Sequence, residues 1–463
     1  MSEVWIFVER KVEMKLVLGG GRSRCPLTII DLDVNPIGTI TTRGIANACR
    51  TYYYIENDMT KPARTAFPNK PRYRIPLMKE VAQTPWNGLS LVSTFSGCGG
   101  SCLGFRMAGY RTLWASEFIE AARDTYTANH PGVPIDGRDI RSVTAEDILR
   151  ITGLKKGELD VLEGSPPCAS FSTAGTRQEG WGKVKTYSNT KQRTDDLFFE
   201  YIRLIDGLQP KMFVAENVSG LVKGSAKGYF KEILAAMKAV GYHVEARVLD
   251  ATWLGVPQTR QRLIFIGLRN DLSAPLRWPS PLPYFYSVRD ALHELDETPA
   301  GIVGGSDTDT GVGEVRQTQR FIAGNDLGDS AIGKEWDKLK PGESSNKYFS
   351  LVRPHLDQPC PTVTQTGGKS HGVACVTHPV ERRKFTIAEL RRICGFPDDF
   401  ALTGSYSQQW ERLGRAVPPP MMAAVAAEVR EVLHGLGVGS ARAIPGGASR
   451  PPKEKRNGNA SRT

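Results

Sequence analysis

Cys168 follows two prolines in SPPCASFS, directly after the apolar run LDVLEGS. Proline rings fix φ, so the pair stiffens the loop and presents the thiol in one direction. A rigid exposed thiol suits nucleophilic attack, whereas most free cysteines are small core residues with a pKa of about 8.5. Its surroundings favour catalysis. Glu216, in VAENVSG, ends a second apolar run, and VPQTRQRLIFIG sets Gln258, Arg260 and Arg262 at alternating positions entering a third. That alternation predicts three side chains on one face. A second constellation is STFSGCGGSCLGF, where Phe95, Ser96, Gly97, Gly99 and Gly100 form a glycine-rich turn opening a helix, the arrangement that brings backbone N–H groups to an anionic group. A G-x-G-x-x-G fingerprint would need glycine where Cys102 stands, so a single carboxylate fits better than a pyrophosphate. Glu117, at the end of the next apolar run, is placed to take two ribose hydroxyls. Ribose plus carboxylate points to S-adenosylmethionine. A helix-packing turn beside a surface acid is the plainer alternative.

These residues need a scaffold that gathers loops from distant strands. From Leu89 the sequence alternates apolar runs (LSLVSTF, RTLWASE, LDVLEGS, KMFVAEN, RLIFIG) with amphipathic helical stretches such as DDLFFEYIRLI and YFKEILAAMKAV. That predicts a doubly wound, parallel α/β sheet, which binds ligands outside the carboxyl ends of its strands. Between about 278 and 358 the texture turns Gly-, Pro- and Asp-rich without a period, as in a loop-built smaller domain. Thr386 and Glu389 form a capping-box signature, and PPPMMAAVAAEVREVLHGL predicts a long apolar-faced helix entered through prolines.

The 463 residues allow two to four domains, and 40% hydrophobic content suffices for real cores. Lys and Arg exceed Asp and Glu by 60 to 49, so a net charge of +11 favours polyanionic partners, nucleic acid first. No apolar run approaches the roughly 20 residues needed to span a bilayer, and MSEVWIFVER lacks a secretory layout, so a soluble intracellular protein without membrane partner is expected. Eight cysteines show neither C-x-x-C nor a repeated Cys/His spacing, so no metal is expected.

Taken in order, the motifs from about 89 to 436 resemble the DNA (cytosine-5) methyltransferase family. The resemblance implies a class I S-adenosylmethionine-dependent methyltransferase sheet with a smaller target-recognition domain. By that reading residues 1–88 are an extension of unreadable role, 89–278 the catalytic and cofactor-binding domain, 279–358 the target-recognition domain, 359–437 the return to the catalytic domain, and 438–463 a disordered basic tail. Phe95, Ser96, Gly97, Gly99, Gly100 and Pro167 fall in the cofactor site, with Glu117 as ribose acid and Asp139 in GRDI as adenine contact. Cys168 is then the nucleophile attacking carbon 6 of a cytosine flipped from double-stranded DNA. Glu216 holds the base, and Arg260 or Arg262 binds the ring oxygen. A monomer in the cytoplasm of a bacterial or phage-infected cell is implied.

Three positions depart from the family pattern: Ser93 for a usual Asp, Ala169 for the Gln after the cysteine, and Arg415 for the Asn of G-N-A-V-P-P. The resemblance implies that this position lies beside the cofactor's transferable end, where, at an effective dielectric near 20, a guanidinium roughly 5 Å from the sulfonium opposes it by about 3 kcal/mol. A carboxylate on the transferred carbon would instead attract it. Arg415 therefore favours carboxymethyl transfer from carboxy-S-adenosylmethionine, with ordinary methyl transfer from S-adenosylmethionine as the alternative. A tRNA cytosine is a further substrate class. A non-catalytic DNA-binding homologue would be expected to lack Cys168 or Glu216, and both are present.

Overall fold

The computed structural model describes residues 70–167, 196–222, 226–297, 326–369 and 373–439, together with the main chain of four further short strands. Contacts divide the chain into a unit of residues 1–67 and one of residues 68–463. In the first, β1 (Glu3–Val8) and β2 (Val12–Val17) pair antiparallel. Cys168, residues 298–325 of the expected recognition segment and residues 440–463 of the expected tail lie outside the described residues.

The larger unit is built on seven strands: β3 (Ser90–Thr94), β4 (Arg111–Ser116), β5 (Ile135–Asp136), β6 (Val161–Gly164), β9 (Met212–Val218), β10 (Tyr242–Asp250) and β11 (Gln261–Arg269). β7 (Lys185–Tyr187) and β8 (Thr190–Gln192) form a separate antiparallel pair. The sheet order is β10-β11-β9-β6-β3-β4-β5. β3 and β6 are buried along their whole length, because helices cover both faces. From β3 the chain winds outward through β4 to β5, then returns to place β6 on the other side of β3. The order reverses there, at the carboxyl ends of β3 and β6, which is where open α/β sheets bind their ligands.

Along each strand the side chains alternate between two cores. Val92, Leu162, Phe213, Ala215, Leu263 and Phe265 face α4 (Ala145–Thr152), α5 (Leu197–Leu208) and α6 (Lys227–Ala239). Leu91, Val161, Val214, Ile264 and Ile266 share the opposite core with Phe105 of α2 (Gly100–Met107) and with α11 (Pro419–Gly435). α11 begins on prolines at its first turn and buries Met421, Met422, Val425, Val429, Val432 and Leu433, as its period predicts. Each such side chain contributes about 1.5–3 kcal/mol.

The expected doubly wound sheet is present, with a correction at one edge. β11 is antiparallel to β9, and β10 precedes it as an unforeseen hairpin partner. The short connection holding a 3-10 turn at Ala251–Leu254 leaves no room for the helical crossover a parallel pair requires. β10 escaped notice because most of it is only half-buried and lacks a clean apolar run.

A third core joins Tyr286 and Val288 of the segment entering α7 (Val288–Glu297) to α9 (Ile387–Ile393) and to Trp410 of α10 (Tyr406–Arg415). The Thr386–Glu389 capping box forms. A small cluster of Leu327, Ile332, Trp336, Leu339 and Leu351 packs beside the short ladder of β12 (Glu343–Ser344) and β13 (Val352–Arg353).

Candidate active site

The turn after β3 departs from ordinary backbone at Phe95, Gly97 and Gly99, all with positive φ. Two glycines are required by their neighbours: a Cβ on Gly99 would strike the His130 ring, and one on Gly100 would come within 2.5 Å of the Val417 carbonyl. His130 Nε2 lies 3.2 Å from the Gly99 carbonyl and its ring stacks on Tyr126. Burial pushes this imidazole down to about 4, so it is neutral and supports the turn without charge.

Glu117, just past β4, receives the Gly97 amide on Oε2 at 2.8 Å and the Ile119 amide on Oε1 at 2.7 Å. The acid therefore braces the turn. Asp139 caps the 3-10 turn Ile140–Ser142, accepting from the Arg141 amide, and pairs with the Arg141 guanidinium at 2.9 Å. Ser96 donates its amide to the Ser116 carbonyl. These loops follow β3, β4 and β5, so they share one edge of the sheet.

From β6 the chain enters Ser165, Pro166 and Pro167, where its described course stops one residue short of Cys168. The Asn217 amide donates to the Pro166 carbonyl at 3.1 Å, tying this exit to the end of β9. Next to it Glu216 Oε1 meets Arg262 Nε at 2.6 Å, both side chains nearly buried. The pair sits on diagonal positions, since Glu216 opposes Ile264 and Val218 opposes Arg262 in the β9–β11 ladder. Burial pushes the Glu216 carboxyl up; Arg262, Arg260 and the Ser165 hydroxyl pull it back.

The alternating polar residues have three different tasks. Gln258 reaches the Ile393 carbonyl and Cys394 Sγ and accepts from the Val363 amide. Arg260 donates to the carbonyls of Val363 at 3.1 Å and Gly414 at 2.9 Å, with Nε buried and unpartnered. Burial lowers its guanidinium to about 9, so it keeps its charge at neutral pH. Arg262 alone of the three is in contact with Glu216.

Arg415 ends α10 and pairs with Glu411 one turn earlier at 3.1 Å. The segment it opens runs on to Val417, whose carbonyl lies against Gly100. Arg412, unnoticed in the sequence, is buried in the same helix; it donates from Nε to the Ala121 carbonyl, and its Nη2 is unpartnered. Glu163 in β6 was also missed, although a carboxylate inside a fully buried strand is itself a signal. Among the described residues no His, Cys, Asp and Glu group is arranged to hold a metal, and no helix is long and apolar enough to cross a membrane.

Residues 89–431 match the model of the C-5 cytosine-specific DNA methylase family. The type II methyltransferase M.DdeI of Desulfomicrobium norvegicum is 31% identical over 389 residues, covering 74% of this chain and 88% of its own. M.NgoPII of Neisseria gonorrhoeae is 28% identical over 365 residues, covering 77% of this chain and all of the relative. Among solved structures, an E. coli prophage protein assigned as a DNA modification methyltransferase superposes with a TM-score of 0.56 at 23% identity, covering 75% of this chain and 99% of its own. That likeness shows the fold. With most of its length matched by one family, the chain belongs to the C-5 cytosine-specific DNA methylases and is an S-adenosylmethionine-dependent transferase acting on DNA.

Proposed function

We propose that this enzyme takes a cytosine out of double-stranded DNA and transfers a methyl group to its carbon 5, working as a monomer. The buried Glu216–Arg262 pair beside the proline-stiffened exit toward Cys168 carries this reading. Cys168 adds as thiolate to carbon 6, and the ring's electron density moves to carbon 5. Glu216 holds nitrogen 3 and the amino group, for which its burial-raised proton affinity is suited. Arg262 orients Glu216 and offers its remaining N–H groups to the ring oxygen. Arg260, occupied by two main-chain carbonyls, positions the pocket strand. Release is an elimination: water takes the carbon 5 proton, the electrons of that C–H bond restore the ring double bond between carbons 5 and 6, and Cys168 leaves carbon 6 as thiolate.

The residues fit the cofactor: a glycine-rich turn braced by the Glu117 carboxylate, with open space beside Gly97. S-adenosylmethionine, when bound, supplies an electrophilic methyl group on a positively charged sulfur. Phe95, Ser96, Gly97, Gly99, Gly100 and Pro167 would enclose it, Glu117 would take the ribose and Asp139 the adenine edge.

Carboxymethyl transfer is a second reading, favoured by one observation: Arg415 opens the segment that packs against Gly100. Glu411 weighs against it, because its carboxylate already balances Arg415 and removes much of the repulsion toward an ordinary sulfonium. Duplex DNA incubated with each cofactor separately, then digested and read by mass spectrometry, decides between them. Methylcytosine formed equally by Arg415→Asn is the expected result. Carboxymethylcytosine that this substitution suppresses would establish the second reading.

A further inference from the structure

We propose that Glu163 is a positioning residue for cofactor binding: one buried carboxylate, reaching across the sheet ladder, fixes the hydroxyls on both limbs of the glycine-rich turn. The inference rests on the reading of residues 95–100 as the cofactor turn. Glu163 is the direct β6 partner of Ser93, the position where the family's usual acid is replaced. Its Oε1 accepts from the Ser93 hydroxyl at 2.6 Å, and its Oε2 from the Ser101 hydroxyl at 3.0 Å. Ser93 is in turn 2.7 Å from the Ser96 hydroxyl. Ser96 lies inside the turn and Ser101 just beyond it on α2, so both ends are tied to one group. Cys102 Sγ stands 3.9 Å from Oε1 and receives the Tyr126 hydroxyl.

An ionised carboxylate only accepts hydrogen bonds. Ser93 has one proton and gives it to Glu163, so Ser96 must donate to Ser93. The charge therefore sets the direction of three hydroxyls and leaves the Ser96 oxygen with acceptor capacity only. A protonated carboxyl carries a donor of its own, which one of the serines must accept, and the fixed direction is lost. The groups facing Glu163 are Ser93 from β3, Ser96 from the turn, Ser101 and Cys102 from α2, Tyr126 from α3 (Glu120–Asn129), Tyr201 from α5 and the Glu216 carboxylate from β9. Burial, with a smaller push from Glu216, raises its carboxyl to about 7, whereas neutral His130 beneath the turn titrates near 4. The turn then changes its hydrogen bonding close to neutrality.

The test is calorimetric titration of the full chain with S-adenosylmethionine between pH 6 and 8.5, comparing wild type with Glu163→Gln, whose amide imitates the protonated carboxyl at every pH. Wild type is expected to bind roughly 5- to 10-fold more weakly at pH 6 than at pH 8. Glu163→Gln should bind at the weak level throughout, with a flattened profile and a raised KM for the cofactor at little-changed kcat. Any titration of the ligand itself is common to both proteins and cancels in the comparison. A folded Glu163→Gln that binds like wild type with the same pH slope overturns the inference and leaves the cofactor turn standing. Wild type that binds no cofactor at any pH overturns the turn's assignment, and this inference with it. Should Glu163→Gln not fold, Ser101→Ala removes one donor and leaves the carboxylate. It is expected to weaken binding about threefold, and unchanged binding would overturn the proposal equally.

Discussion

Two nearly buried carboxylates stand on adjacent strands, both pushed up by burial, and what separates them is their partners. Glu216 has a guanidinium, so its charge is balanced inside the protein. Truncating one member of a buried pair strands the other, so Arg262→Met should destabilise by about 3–5 kcal/mol in urea unfolding, while the double change Glu216→Leu/Arg262→Met should recover most of that loss. Equal loss in both would show that packing, not charge, is what the pair supplies. Glu163 has only hydroxyls and a thiol, and its folded-state proton affinity lies above the ordinary value of 4.5, at about 7. The folded state therefore binds the proton more tightly than the unfolded one. Its stabilising contribution is complete below pH 4.5 and is lost as pH rises through 7, about 3 kcal/mol in all. Glu163→Gln lacks that dependence, so its melting temperature should gain on wild type between pH 5 and 8. A constant difference across that range would refute the assignment. The sequence marked Glu117, Glu216 and the glycines as candidates because their spacing is local. Glu163 acts through a partner seventy residues away, and Arg260 through carbonyls 103 and 154 residues away, so neither task was legible.

At the scale of elements, close approach between backbones decides what the turn can tolerate. α2 begins where the segment before α11 crosses it, and Gly100 leaves room for the Val417 carbonyl. Gly100→Ala puts a methyl group against backbone that cannot rotate away, so a loss of about 1–3 kcal/mol is expected. Cofactor affinity should fall with it, because the displaced segment and the turn form one surface. Equilibrium unfolding and calorimetry on one preparation would check both, and a variant losing neither would mean that the two segments part freely. Strand periodicity foretold β3, β6, β9 and β11 because each is buried along most of its length. β10 is half-buried on a sheet edge, where water relaxes the demand for apolar residues, and its hairpin stayed hidden. The segment with β12 and β13 had no period because its two-residue strands are too short to show one.

Across the whole molecule, chemistry and DNA attraction are separable. Arg260 binds carbonyls from two later segments, and α11 returns against α2, so late chain packs onto the elements that carry the glycine-rich turn and the Glu216 strand. The net charge of +11 acts over the surface and is indifferent to any one thiol. Each phosphate neutralised releases counterions, so a protein contacting about 6 to 10 phosphates loses roughly 10³- to 10⁵-fold in affinity between 50 and 200 mM salt. Cys168→Ala should therefore bind duplex DNA with the same salt slope as wild type while transferring nothing to cytosine. Fluorescence anisotropy over a salt series and nucleoside mass spectrometry measure the two halves independently. A variant that still modified DNA would remove Cys168 from the mechanism. One that lost DNA binding at every salt concentration would mean that the loop after Pro167 holds the backbone, and that the thiol's neighbours position the duplex as well as the flipped base.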